Sequence, residues 1–145
     1  MRRPLLALLA LAALAAVPAS ASALTFGIAD QKADFLDDSR FLDLGVRHAR
    51  ISVPWDVLRD RATLDRTDQW VRSARARGVR VLVTFDRSRR PGKASVTPSP
   101  RQFASELRRM RKRWPWLKEF STWNEANINK KADTVARQWN ALRKA

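Results

Sequence analysis

Apolar stretches rich in branched residues alternate along this chain with segments whose apolar positions recur every three or four residues, a pattern that predicts strands followed by helices. Residues 24–29 read as a first strand, and residues 34–44 as a helix with Phe35, Leu36, Phe41, Leu42 and Leu44 on its inner face, ended by Gly45. A second strand is expected over residues 46–53, closed by Pro54 and Trp55, and a second helix over residues 67–77, stopped by Gly78. Residues 79–85 form the clearest strand, Val-Arg-Val-Leu-Val-Thr-Phe, and a loop over residues 86–98 follows. Ser99, Pro100 and Gln102 then spell a helix start: a capping serine, a proline at the first helical position and the partner that completes a capping box. That helix is expected to bury Phe103, Leu107, Met110 and Trp114. Residues 117–123 are the fourth strand, and a last helix over residues 133–144 is expected to bury Val135, Trp139 and Leu142.

Four strand-then-helix units without a low-complexity linker describe one α/β domain with a parallel sheet. A complete (β/α)8 barrel takes about 250 residues. The pattern here supplies about the first four β/α units, so residues 24–145 read as a partial TIM barrel, its N-terminal half. Such a half leaves strand edges unpaired, and self-association through those edges is expected.

The first 23 residues stand apart. Arg2 and Arg3 precede an apolar run over residues 5–17, and two overlapping Ala-x-Ala sites follow, which together read as a signal peptide cut after Ala23. Thirteen apolar residues fall short of the roughly 20 that span a bilayer. The expected product is therefore secreted, with no membrane span after cleavage. Removing 23 of the 145 residues leaves 122, none of them cysteine, so the fold must be held by its core and not by disulfides. Losing Arg2 and Arg3 takes the formal charge from +15 to +13. That balance favours anionic surfaces. The arginines are spread from Arg40 to Arg143 with no nucleic-acid-binding motif, so no specific nucleic acid partner is expected. No cysteine or histidine cluster suggests a metal, and no glycine-rich fingerprint suggests a nucleotide cofactor.

The candidate chemistry sits at strand ends. Trp123-Asn124-Glu125-Ala126-Asn127 puts an amide and a carboxylic acid where the fourth strand finishes, and in a parallel barrel that end faces substrate. In the second strand, period-two alternation sets Ala49, Ile51 and Val53 on one face and His48, Arg50 and Ser52 on the other. With the apolar set against the helices, Arg50 points into the barrel near its catalytic end. The opposite register, with Arg47 and Ala49 inward, would leave Arg50 in solvent.

These two strand ends resemble the clan of retaining glycoside hydrolases built on the (β/α)8 barrel, clan A of the cellulase-like superfamily. The resemblance extends over residues 24–145, is most specific at residues 123–127, and is next most specific at residues 50–55. It implies a carbohydrate substrate, cleavage of O-glycosidic bonds by two carboxylates, and no cofactor. It implies Glu125 as general acid/base, Asn124 as the hydrogen-bond partner of the sugar hydroxyl beside the anomeric carbon, and Arg50 as the group that orients the nucleophile. The clan carries that nucleophile at the end of the seventh strand, and no acid of this chain matches it. Ala126 stands where the commoner motif has proline, which leaves the sugar and the family within the clan open.

Asp86, at the end of the third strand, is a candidate sugar contact or a local ion pair with the arginines after it. Trp55 and Trp123 are candidate sugar platforms or ordinary core residues, and Asn127 is a further candidate for substrate binding. His48 lies deeper in its strand and suits a satisfied core histidine. The alternative to a hydrolase is a non-catalytic, basic, exported module that binds anionic polymer, polysaccharide or nucleic acid.

Overall fold

A computed structural model describes residues 24–129 and 132–145; the expected signal peptide lies outside the described residues. Four parallel strands, β1 (Ile28–Ala29), β2 (His48–Pro54), β3 (Arg80–Asp86) and β4 (Glu119–Ser121), form one sheet in chain order. Parallel crossovers are right-handed, so a sheet that grows in one direction carries all its helices on one face. That is the winding of a partial (β/α)8 barrel. A doubly wound sheet reverses direction and covers both faces.

Burial follows this winding. Ala49, Ile51 and Val53 of β2 lie in register with Val81, Val83 and Phe85 of β3, and all six are buried. Arg50 and Arg80, on the opposite parity, are exposed, while His48 and Leu82 are half-buried. Only towards the strand ends is that second face closed, where Thr84 is buried. The helical layer consists of α1 (Ser39–Asp43), α2 (Arg61–Ala76), α3 (Pro100–Arg113), the single turn α4 (Ala126–Asn129) and α5 (Ala132–Arg143), with short 3-10 segments at Ala33–Asp37 and Val57–Arg59.

Local chemistry explains most helix ends. Ser99 and Gln102 form the reciprocal capping box at the start of α3. Gly45 and Gly78 take the left-handed φ of 62° and 66° that a terminating residue needs. Asp60 caps α2 through the Thr63 amide at 3.0 Å, so α2 begins well before the helix read from the apolar spacing. Between α2 and α3, Trp114 Nε1 donates to Asp68 Oδ1 at 2.6 Å, and Arg113 pairs with the same carboxylate. Burial alone would raise the Asp68 pKa, but the hydrogen bonds from Arg113 and Trp114 outweigh it and hold the carboxyl below its ordinary range.

Four expectations need correction. The helix over residues 34–44 is broken, because Asp38 is extended and its side chain accepts from the Arg40 amide at 2.9 Å, capping a new helix. As a result Leu42 and Leu44 are exposed where an inner face was expected. The first strand is only two residues long, with Leu24 and Phe26 in solvent, and the fourth is three, because each pairs along one edge only among the described residues. In α5 the fully buried residue is Gln138, while Trp139 is exposed. Gln138 Nε2 donates to the Pro98 carbonyl at 3.3 Å, just ahead of the α3 cap, so the buried amide has a partner there while Trp139, next along the helix, stays in solvent.

Candidate functional site

The strand ends are locked at one level by backbone bonds that continue past the regular ladder. Trp55 N donates to the Asp86 carbonyl at 2.9 Å, and Asn124 N donates to the Phe85 carbonyl at 2.7 Å. Across that level Arg50 Nη1 donates to Asn124 Oδ1 at 3.4 Å, joining residues far apart in the chain. Arg50 therefore lies on the face away from the helices and touches the amide of the Asn-Glu pair.

Asn124 and Glu125 also line an open cleft of about 430 Å³ together with Asp86, Arg87, Ala94, Ser95 and Trp123. The cleft sits on the C-terminal side of the sheet, between the β4 end and the loop that follows β3. Asp86 is half-buried in it; its Oδ1 accepts from the Arg87 amide at 2.7 Å and its Oδ2 lies 3.7 Å from Arg89. Trp123 lines the cleft but is only 6% exposed. Trp55, also 6% exposed, belongs to the hydrophobic core and does not line the cleft. Asn127 is not brought to the cleft either. It lies on α4 and lines a groove against α5, with Val135 and Trp139.

Glu125 has a φ of 49°, the one left-handed non-glycine residue among the described residues. For an L-residue with a long side chain this conformation costs roughly 1–2 kcal/mol. Its carbonyl accepts from Ile128 N at 3.0 Å, which starts α4 and holds the turn. Backbone strain of this kind collects where a side chain has to be aimed. Relief of the Cβ penalty is partly offset by the greater freedom glycine gives the unfolded chain, so Glu125→Gly should stabilise the fold by up to about 1 kcal/mol in urea titration, and should be more stable than Glu125→Ala, which keeps the Cβ. A glycine variant less stable than the alanine variant would show that the turn is unstrained. The Glu125 side chain is exposed, whereas proton transfer to a leaving group calls for a partly desolvated acid. The remaining walls of such a site are not supplied by the described residues.

Three participants escaped the sequence reading. Arg87 and Ser95 line the cleft through the loop after β3, and their only signal was that this loop begins at a strand end. Asp56 is 1% exposed, directly after Trp55; Ser88 Oγ donates to its Oδ2 at 2.9 Å, and Arg90 lies 3.7 Å away. This buried acid pins the loop that carries Arg87. Among the described residues no group of three or more His, Asp or Glu side chains could hold a metal ion. No helix among them is long and apolar enough to cross a membrane.

No protein-family model matches this chain, and no curated protein matches it significantly.

Proposed function

We propose that this chain carries the acid/base half of a retaining glycoside hydrolase, exported from the cell and acting on O-glycosidic bonds of carbohydrate. One observation supports the reading above the others: Asn124 and Glu125 stand at the C-terminal end of a parallel strand, with Arg50 bonded to the amide and Asp86 and Trp123 in the same cleft. In this reading Glu125 protonates the glycosidic oxygen and then activates water, as the acid of a retaining pair does. Asn124 binds the hydroxyl beside the anomeric carbon. Arg50 orients the amide and the nucleophile carboxylate. Asp86 and Trp123 contact sugar from the cleft wall, while Trp55 fixes the level of the strand ends through its bond to the Asp86 carbonyl.

The second carboxylate is the outstanding requirement. Retaining pairs stand about 5 to 5.5 Å apart, and the clan's seventh-strand nucleophile has no counterpart here. The chain alone is therefore expected to hydrolyse aryl glycosides no faster than background, because an acid without its nucleophile forms no glycosyl-enzyme. Joined to the C-terminal half-barrel of a related hydrolase it should gain turnover. A soluble, folded chimera without turnover would sink the reading.

A second reading rests on Arg87 in the cleft wall and on the basic loop that carries it, with Arg89, Arg90 and Lys93: a basic exported module that binds anionic polymer without cleaving it. Binding to acidic polysaccharide or DNA by counterion release collapses as salt rises. Nanomolar binding that survived physiological salt, in a chimera without turnover, would favour this module.

A further inference from the structure

We propose that two copies of this chain dock edge to edge, β1 of each against β4 of the other, closing an eight-stranded parallel ring. The proposal concerns the fold and holds whatever chemistry the cleft performs.

Both outer edges are open. Among the described residues β1 pairs only with β2 and β4 only with β3, each in parallel, so a β1 edge can extend a β4 edge in the sense used throughout the sheet. Unpaired parallel edges carry free backbone donors and acceptors that seek a partner strand. Exposed apolar side chains flank the edge strands in the chain. Of the large hydrophobic residues in solvent, Leu24 and Phe26 precede β1, Leu42 and Leu44 lie in and just after α1, Ile128 and Trp139 lie on α4 and α5 after β4, and Val96 lies in the loop after β3. Trp139 and Val135 line an apolar groove of about 680 Å³ beside β4. A heterologous edge pair uses one edge of each kind, and every copy has both.

Charge identifies the occupant. Residues 24–45 hold five aspartates against Lys32 and Arg40, the one acidic stretch of a strongly basic chain. Residues 122–145 hold Lys130, Lys131, Arg137, Arg143 and Lys144 against Glu125 and Asp133. By sequence the two stretches are oppositely charged, by −3 and +3; within the chain Asp37 already pairs with Arg77 and Asp38 with Arg40, which leaves Asp34 and Asp43 to meet Arg137 and Arg143 of an identical chain. Most of the net charge lies between them, where residues 46–121 carry 20 basic against 7 acidic side chains. Repulsion between those middles is screened beyond about 10 Å at 0.1 M salt, whereas contact at the edges is not. Two units of four strands close a ring, since an eight-stranded parallel barrel is just filled by its inward side chains. All eight strands then point the same way, so one mouth carries both Asn124-Glu125 pairs.

The absence of cysteine makes a clean test. Ala29→Cys and Ser121→Cys mark the two edges. A short bis-maleimide should couple a mixture of the two single variants into dimers, leave each single variant alone uncoupled, and close the double variant as a dimer without a ladder. Coupling of a single variant to itself, a ladder from the double variant, or a monomer in sedimentation at micromolar concentration would each overturn the proposal. Charge reversal gives a second readout. Arg137→Asp with Arg143→Asp should weaken the dimer about tenfold, as expected for a few exposed pairs in each of two interfaces. Adding Asp34→Arg and Asp43→Arg to the same chain should restore it, and failure to restore would refute this pairing of edges.

Discussion

Glu125→Gln in a complemented barrel is expected to lower turnover of glycosides with poor leaving groups by about 10²- to 10⁴-fold, the usual contribution of a positioned acid/base. The amide keeps the shape of the side chain and its place in the cleft but has no proton to give. Activated aryl glycosides leave with little protonation, so their first step should be nearly spared and the glycosyl-enzyme should accumulate as a burst. Added azide should then speed release of that intermediate, because an anion needs no general base to attack. Steady-state and burst kinetics with both substrate types distinguish these steps. Unchanged turnover of an unactivated glycoside would end the assignment of Glu125 and remove the main support for a hydrolase.

Phe103→Ala is expected to cost about 3–5 kcal/mol in urea unfolding, the range for removing a buried aromatic ring. Phe103 is 1% exposed and meets Phe85 edge to face at 4.7 Å, joining α3 to β3. A domain of this size is stable by about 5–15 kcal/mol, so the loss is a large share of the whole. The damage also reaches the cleft, since the Phe85 carbonyl is the acceptor that fixes Asn124. Val96→Ala, at an exposed loop position, should stay within about 0.5 kcal/mol and serves as the comparison. Equal effects at the two sites would show that α3 does not anchor the sheet as its packing indicates.

How much of the site was legible depended on the range of the forces involved. The Asn-Glu pair was visible at a strand end, and the alternation of residues 47–53 set Arg50 on the uncovered face, because both depend on neighbours in sequence. The grouping of Asp86, Trp123, Asn124 and Glu125 around one cleft depends on where β3 and β4 end relative to each other, which register decides. Trp55 and Trp123 read alike as flat apolar rings, yet only Trp123 reaches the cleft. Asp56 carried no signal, since nothing in its neighbours says that an acid after Trp55 will be buried against Ser88.

The sequence by itself determined the order of strands and helices, the capping box that starts α3 and the glycine stops after the first two helices. These follow from dihedral preferences and from hydrogen bonds made within a few residues. It also determined which face of β2 is apolar, because a strand alternates strictly. The Asp38 break of the first helix is itself local, a cap on the Arg40 amide that the apolar spacing hid; only the tertiary structure decided that Gln138 is buried in place of Trp139 and that Glu125 is held at a left-handed turn. Each is a local preference overridden or redirected by a partner distant in the chain or by the way an element docks: the Pro98 carbonyl for Gln138, and the junction of β4 with α4 for Glu125. Periodicity tells which residues share a face, whereas docking decides which face is covered.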